Sequence, residues 1–205
     1  GNSVRLFGID GSAGPEWTGH KNQPQALAWR PDGSMLVSAD LGSENPLLRV
    51  WRRDGTVVAD LPLPSSQVQW SPRGDRFLAS KKNARSGTVA IISAEGKEFG
   101  QLQFASGQNR QLLQWILEGQ AIQSGWLHEA EGAHSQLFAA NGRPGPRTDI
   151  PVGNRATDMT WDLSTQKCYA ALYMTPKDNP VERLVSLSTD GSIHFMSEPE
   201  LPEAV

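Results

Sequence analysis

The sequence predicts an all-β fold of many short antiparallel strands, and three observations predict it. Glycine (20 residues) and proline (14 residues) are both plentiful in a chain of 205, which favours short elements joined by tight turns over a few long helices. Runs such as "MLVSAD" and "TVAII" are rich in β-branched and apolar residues and are bounded by Gly, Pro, Asn and Asp, as strands are. No stretch carries apolar residues at helical spacing over about a dozen positions.

The elements then follow in order, because the chain repeats itself. "LAWRPDG" at Leu27 to Gly33 returns as "VQWSPRG", as "LLQWILEG" and as "DMTWDLS". The tryptophans are Trp29, Trp70, Trp115 and Trp161, recurring about every 40 to 50 residues, a period long enough for four short strands. A second marker keeps the same step: an acidic residue or Asn stands before Gly at Asp10-Gly11, Asp54-Gly55, Glu95-Gly96, Asn141-Gly142 and Asp190-Gly191. Such pairs supply the positive φ angles that a tight hairpin needs.

In the first unit "ALAW" passes through a Pro-Asp-Gly turn to "MLVSADL". "GSENP" then leads to "LLRVW", and Asp54-Gly55 to "TVVADLPL". The second unit reads "VQW", "RFLAS", "TVAII", "FGQLQF"; the third "LLQWIL", "AIQSGWL", "SQLFAA", "RTDIPV"; the fourth "DMTWDL", "CYAALYM", "RLVSLS", "SIHFMS". Four antiparallel strands per unit is the pattern of a β-propeller blade. The expected organisation is one propeller domain over residues 1–205, with a half-blade at 1–20 and blades at about 24–64, 66–106, 111–153 and 157–199. Each recurrent tryptophan is expected to be a core wedge between neighbouring blades. The unpaired half-blade predicts that the chain is part of a larger ring, or is completed by another chain or segment, since open strand edges invite aggregation.

Composition excludes several function classes. With 38% apolar and 20% charged residues the chain resembles an ordinary soluble domain. A formal net charge of −3 gives no basic field for phosphates, so no nucleic-acid partner is expected. Cys168, the lone cysteine, has no disulfide partner in the chain and reads as a small core hydrophobe beside Tyr169. No apolar run approaches the ~20 residues that cross a bilayer. Membrane insertion is therefore not expected, and a cytoplasmic location is preferred to a periplasmic one.

Gly19-His20 followed by "ALAWRPDGSMLVSAD", "LLRVW" and "RDGTVVADL" resembles a WD-repeat blade, and as a motif the resemblance covers residues 19–79. "VQWSPRGDRFLAS" is also similar to the propeller repeats of the periplasmic Tol system and of prolyl peptidases. The WD resemblance implies that His20, Ser38 and Trp51, with Asp40 as the acid, join in a buried hydrogen-bonded network whose role is structural.

Chemistry finds little support. "HEAEGAH" offers His128 and His134 with Glu129 and Glu131 as weak metal-ligand candidates in a connection between strands, where a solvated loop is the preferred reading. There is no Gly-x-Ser-x-Gly elbow and no phosphate loop, so no catalytic residue and no cofactor is expected. The connections between second and third strands, "GSENP", "KKNARSG", "HEAEGAH" and "TPKDNPVE", fall on one face of a propeller. Lys81, Lys82, Arg85, Trp126, His128 and Lys177 are the partner-binding candidates there. The expected function is a non-catalytic scaffold for a protein or peptide partner. The alternatives are a propeller that supports or gates an enzyme, or an extracytoplasmic propeller like that of the Tol system.

Overall fold

The computed structural model describes residues 1–42, 44–80, 88–103, 111–128, 132–150, 154–162, 167–174, 181–187 and 193–195. The fold is all-β, and its four-stranded antiparallel sheets have the topology of propeller blades. A hairpin of β1 (Val4–Phe7) and β2 (Ala13–Trp17) comes first. Blade 1 contains β3 (Pro24–Trp29), β4 (Met35–Asp40), β5 (Leu48–Arg52) and β6 (Val57–Leu61). Blade 2 contains β7 (Gln67–Trp70), β8 (Arg76–Ser80), β9 (Thr88–Ser93) and β10 (Glu98–Gln103). The third sheet is β11 (Gln111–Ile116), β12 (Ala121–His128), β13 (Gly132–Ala139) and β14 (Pro144–Ile150). The fourth is β15 (Asn154–Asp162), β16 (Lys167–Met174), β17 (Val181–Leu187) and β18 (Ile193–Phe195). In each sheet neighbours in sequence are neighbours in space.

The chain divides into two compact units. The first holds 1–107, 115–122 and 139–143, and the second holds 108–114, 123–138 and 144–205. In the second unit, β15 pairs with β16 from Asn154↔Met174 to Asp162↔Lys167, and β16 with β17 from Cys168↔Leu187 to Met174↔Val181.

The first unit shows why these residues make blades. Strand side chains alternate between faces, and β4 and β5 are apolar or satisfied on both. On one face Val37, Ala39, Leu48 and Val50 enter a core with Trp70, Phe77, Ala79, Ala90 and Ile92 of blade 2. On the other, Leu36 and Trp51 pack with Val4 and Trp17 of the hairpin, and Leu6 lies against them. Sheets covered on both faces need near-continuous apolar runs, which is what "MLVSAD" and "TVAII" supply.

Two contacts recur between successive sheets of this unit and give the two sequence markers their physical meaning. The indole Nε1 of Trp70 donates to the Ala28 carbonyl at 3.0 Å, and that of Trp115 donates to the Gln69 carbonyl at 3.2 Å. Each ring is thus fastened to the residue just before the previous tryptophan. The turn glycines also sit close against the preceding outer strand. Gly55, at φ +88, would place a Cβ 2.7 Å from Trp17 Nε1, and a Cβ on Gly96, at φ +83, would collide with the Ala59 side chain. Both positions demand glycine twice over, for the left-handed φ and for the close approach.

Trp70 and Trp115 are buried, whereas Trp29 is 43% exposed, which corrects the expectation that it is a core wedge. Its ring meets Trp17 of the β1–β2 hairpin edge-on at 6.2 Å. The third inner turn replaces Pro-x-Gly with Leu117 and Glu118, both left-handed at φ 49. "HEAEGAH" is also not one loop: His128 ends β12 and His134 lies on β13 in register with Asp149. The strand ladder extends further than the charged composition suggested.

Candidate functional site

Period-two alternation brings Leu36, Ser38 and Asp40 onto one face of β4, and antiparallel pairing sets Leu36 opposite Trp51 on β5. Gly19, at φ +127, turns the chain after the hairpin so that His20 reaches the same face. One assignment of hydrogens satisfies every group. Trp51 Nε1–H donates to Ser38 Oγ at 2.8 Å, Ser38 O–H donates to His20 Nε2 at 2.6 Å, and His20 Nδ1–H donates to Asp40 Oδ2 at 3.0 Å. Asp40 Oδ1 accepts from the backbone N–H groups of Gly42 at 3.0 Å and Leu47 at 3.1 Å. The donors run in one direction and end on an ionised carboxylate, with neutral imidazole in the Nδ1–H tautomer.

All four residues are buried. Burial works against the charged form of Asp40, but the hydrogen bonds from His20, Gly42 and Leu47 outweigh it and hold the carboxyl below its ordinary value. The network is closed from above by aromatic rings. Trp17 stacks on Trp51 with centroids 5.4 Å apart, and the Arg49 guanidinium lies 4.9 Å from the Trp51 ring while pairing with Asp60. Arg49 also reaches the Thr18 carbonyl at 3.3 Å, joining β5 to the segment that carries His20. The sequence reading missed Trp17 and Arg49. Trp17 stands in the sequence just ahead of Gly19-His20, but its partner Trp51 lies on a strand distant in sequence.

Ser38, His20 and Asp40 have the connectivity of a nucleophile, a base and an orienting acid. A hydrolase also needs its hydroxyl exposed beside donors for an oxyanion. Ser38 is completely buried, its oxygen already accepts from Trp51, and none of the three lines the cavity of about 700 Å³ beside β1 and β3. The relay joins β4 and β5 to the segment that carries His20.

Lys81, Lys82, Arg85, Lys177, Glu129 and Glu131 lie outside the described residues. Trp126 and His128 lie on β12, His134 on β13, and Trp161 on β15 opposite Cys168; their side chains are outside the described part of the structure. Among the described residues no three His, Cys, Asp or Glu side chains gather as metal ligands, and no helix is long and apolar enough to cross a membrane.

No family model matches the sequence, and no curated protein matches it. Solved structures do. A chain of Kuenenia stuttgartiensis hydrazine synthase is similar with a TM-score of 0.63 and 12% identity, over 95% of this chain and 60% of that one. A structure described as the eukaryotic initiation factor gives 0.54 and 14% over 62% of this chain and 32% of that one. The C-terminal WD40 domain of Sif2 gives 0.49 and 13% over 92% and 61%. The chain spans less than two thirds of the length of each, and the likeness to the first two is one of fold alone.

Proposed function

We propose that this chain is a non-catalytic protein-interaction scaffold of the WD-repeat-like propeller type. The observation that carries this reading is the sealed relay. The one set of residues with a hydrolase's connectivity among those described is buried and hydrogen-bonded to capacity, so it serves stability and leaves function to surfaces. The WD-like assignment draws on residues 19–79 and on the way His20, Ser38, Asp40 and Trp51 are joined. Rigid blades presenting variable connections are a common way to bind a protein or peptide, and the basic connection with Lys81, Lys82 and Arg85 suits an acidic segment of a partner.

Two measurements test it. A fluorophosphonate probe added to the folded chain should leave Ser38 unmodified by mass spectrometry; a Ser38 adduct overturns the non-catalytic reading. Proteins retained on the immobilised chain should be released by the double charge reversal Lys81→Glu/Arg85→Glu, and unchanged retention removes that connection from the account. The second reading, a propeller that supports an enzyme, is favoured by the fold likeness to a hydrazine synthase chain. It predicts that the chain stays bound to a catalytic subunit through purification from its source.

A further inference from the structure

The inner turns of blades 1 and 2 are closed by the same backbone bond: Arg30 N–H donates to the Met35 carbonyl and Ser71 N–H to the Arg76 carbonyl, both at 2.9 Å. Met35 and Arg76, the first residues of β4 and β8, are therefore equivalent, and each faces the next sheet of the first unit. Their chemistry differs. Arg76 meets that sheet with a donor, its Nη1 reaching the Ala140 carbonyl at 3.1 Å. Met35 is half-buried and packs as an apolar side chain against the core shared by blades 1 and 2.

Met35 also has a cation at its sulfur. Arg30 Nη1 donates to Met35 Sδ at 3.8 Å, and the same nitrogen reaches Ser34 Oγ at 3.1 Å and Asp32 Oδ2 at 3.4 Å. Arg30 Nε is fastened to the Gly74 carbonyl of blade 2 at 2.8 Å, so the guanidinium is held where it stands. A thioether is a weak acceptor and an oxidisable one. Its sulfoxide carries a strong acceptor oxygen, which in a half-buried seam needs a donor. Arg30 supplies that donor in advance, and Arg76 shows that the equivalent position of blade 2 takes a polar group when a partner is at hand.

We propose that Met35 is a site of reversible oxidation by hydrogen peroxide and that Arg30 receives the sulfoxide oxygen. The Sδ lone pair attacks one peroxide oxygen; the S–O bond forms as the O–O bond breaks, and the second oxygen leaves as water with the proton of the first. Sulfur loses two electrons and the peroxide gains them. The new oxygen accepts from Arg30 Nη1–H while Nε stays on Gly74, so the seam between the blades keeps its brace. Asp32, whose side chain is 55% exposed, gives up its share of Nη1, and the turn surface of blade 1 becomes more negative. The site lies between two blades and apart from the strand connections, so it is decided separately from the scaffold reading.

The test treats the folded full chain with hydrogen peroxide beside its Met35→Leu variant, so that oxidation at Met159, Met174, Met196 and Cys168 is common to both and drops out of the difference. Peptide mapping by mass spectrometry should find one oxygen added at Met35, and methionine sulfoxide reductases should remove it. Oxidation of Met35 should leave the unfolding equilibrium nearly unchanged in the wild-type chain and shift it about tenfold toward the unfolded state in Arg30→Leu. Met35→Gln, which sets an amide oxygen near the place of the sulfoxide oxygen, should show the same dependence on Arg30 without oxidant. The NMR signal of the Arg30 guanidinium should move on oxidation of the wild-type chain, a readout that stands even where Arg30→Leu does not fold. Met35 left unmodified by peroxide that fully oxidises added free methionine overturns the site. Oxidation that destabilises wild type and Arg30→Leu alike, or that leaves the guanidinium signal in place, overturns the role of Arg30.

Discussion

Blades 1 and 2 solve the same packing problem with opposite chemistry. Counted from the inner tryptophan and from the Asx-Gly or Glu-Gly turn, Leu36, Ser38 and Trp51 of blade 1 correspond to Phe77, Ala79 and Ile92 of blade 2, and each triplet faces the element that precedes its blade. In blade 2 the triplet is apolar and almost completely buried against blade 1. In blade 1 it carries a hydroxyl and an indole that continue through His20 to Asp40. The difference teaches where specificity is needed. An apolar layer adapts to whatever apolar surface it meets, while a polar network is stable only when every donor finds its acceptor. Among the described residues, blade 1 packs on this side against the β1–β2 hairpin and the Gly19-His20 turn. Blade 2 rests on a complete sheet.

The contrast can be broken most forcefully at Asp40. Asp40→Ala leaves the His20 Nδ1–H and the Gly42 and Leu47 N–H groups without an acceptor, at about 1–3 kcal/mol for each, and should give the largest loss of stability in urea unfolding. The same residue sets an acid limit. Because its folded-state carboxyl ionises below the ordinary value of 3.8, its contribution is complete above that pH and is lost as pH falls through the depressed value; the gap between wild type and Asp40→Ala should close in that acid range.

A smaller loss is expected from Ser38→Ala. It strips the acceptor of Trp51 Nε1 and the donor to His20 but leaves only one donor without an acceptor, so about 1–3 kcal/mol should go. The counterpart exchange in blade 2, Ala79→Ser, would place a hydroxyl among the apolar side chains of the shared core and should also destabilise. If it is neutral, the two triplets are interchangeable and the contrast fails. The smallest effect belongs to Ile92→Val, with about 1 kcal/mol for one methylene removed from a buried layer. A loss at Ile92 as large as that at Ser38 would mean that blade 2 is packed as specifically as blade 1.

Much of this was legible in the residues. The strand runs, the Pro-x-Gly and Asx-Gly turns and the repeat announced the sheets, since each is a local preference of a few neighbouring residues. The Ser38–His20–Trp51 set was legible through its likeness to a WD-repeat blade, and the structure joins these residues with Asp40 at hydrogen-bond distance. The roles of the stacked Trp17 and the bracing Arg49 were not legible, even though Trp17 stands just ahead of Gly19-His20, because their partners come from strands far off in sequence. Trp29 could not be told from Trp70 by its surroundings in the chain: "LAWRPDG" and "VQWSPRG" carry the same signal, and one ring is exposed while the other is buried.

The sequence by itself determined which segments become strands, where they turn and how they group, because backbone preference and side-chain alternation act over a few residues. Only the tertiary structure decided which tryptophans are covered and that a Ser-His-Asp relay is shut away from solvent. Burial depends on what lies across the sheet face, and that neighbour is chosen by packing between strands that no short stretch of sequence contains.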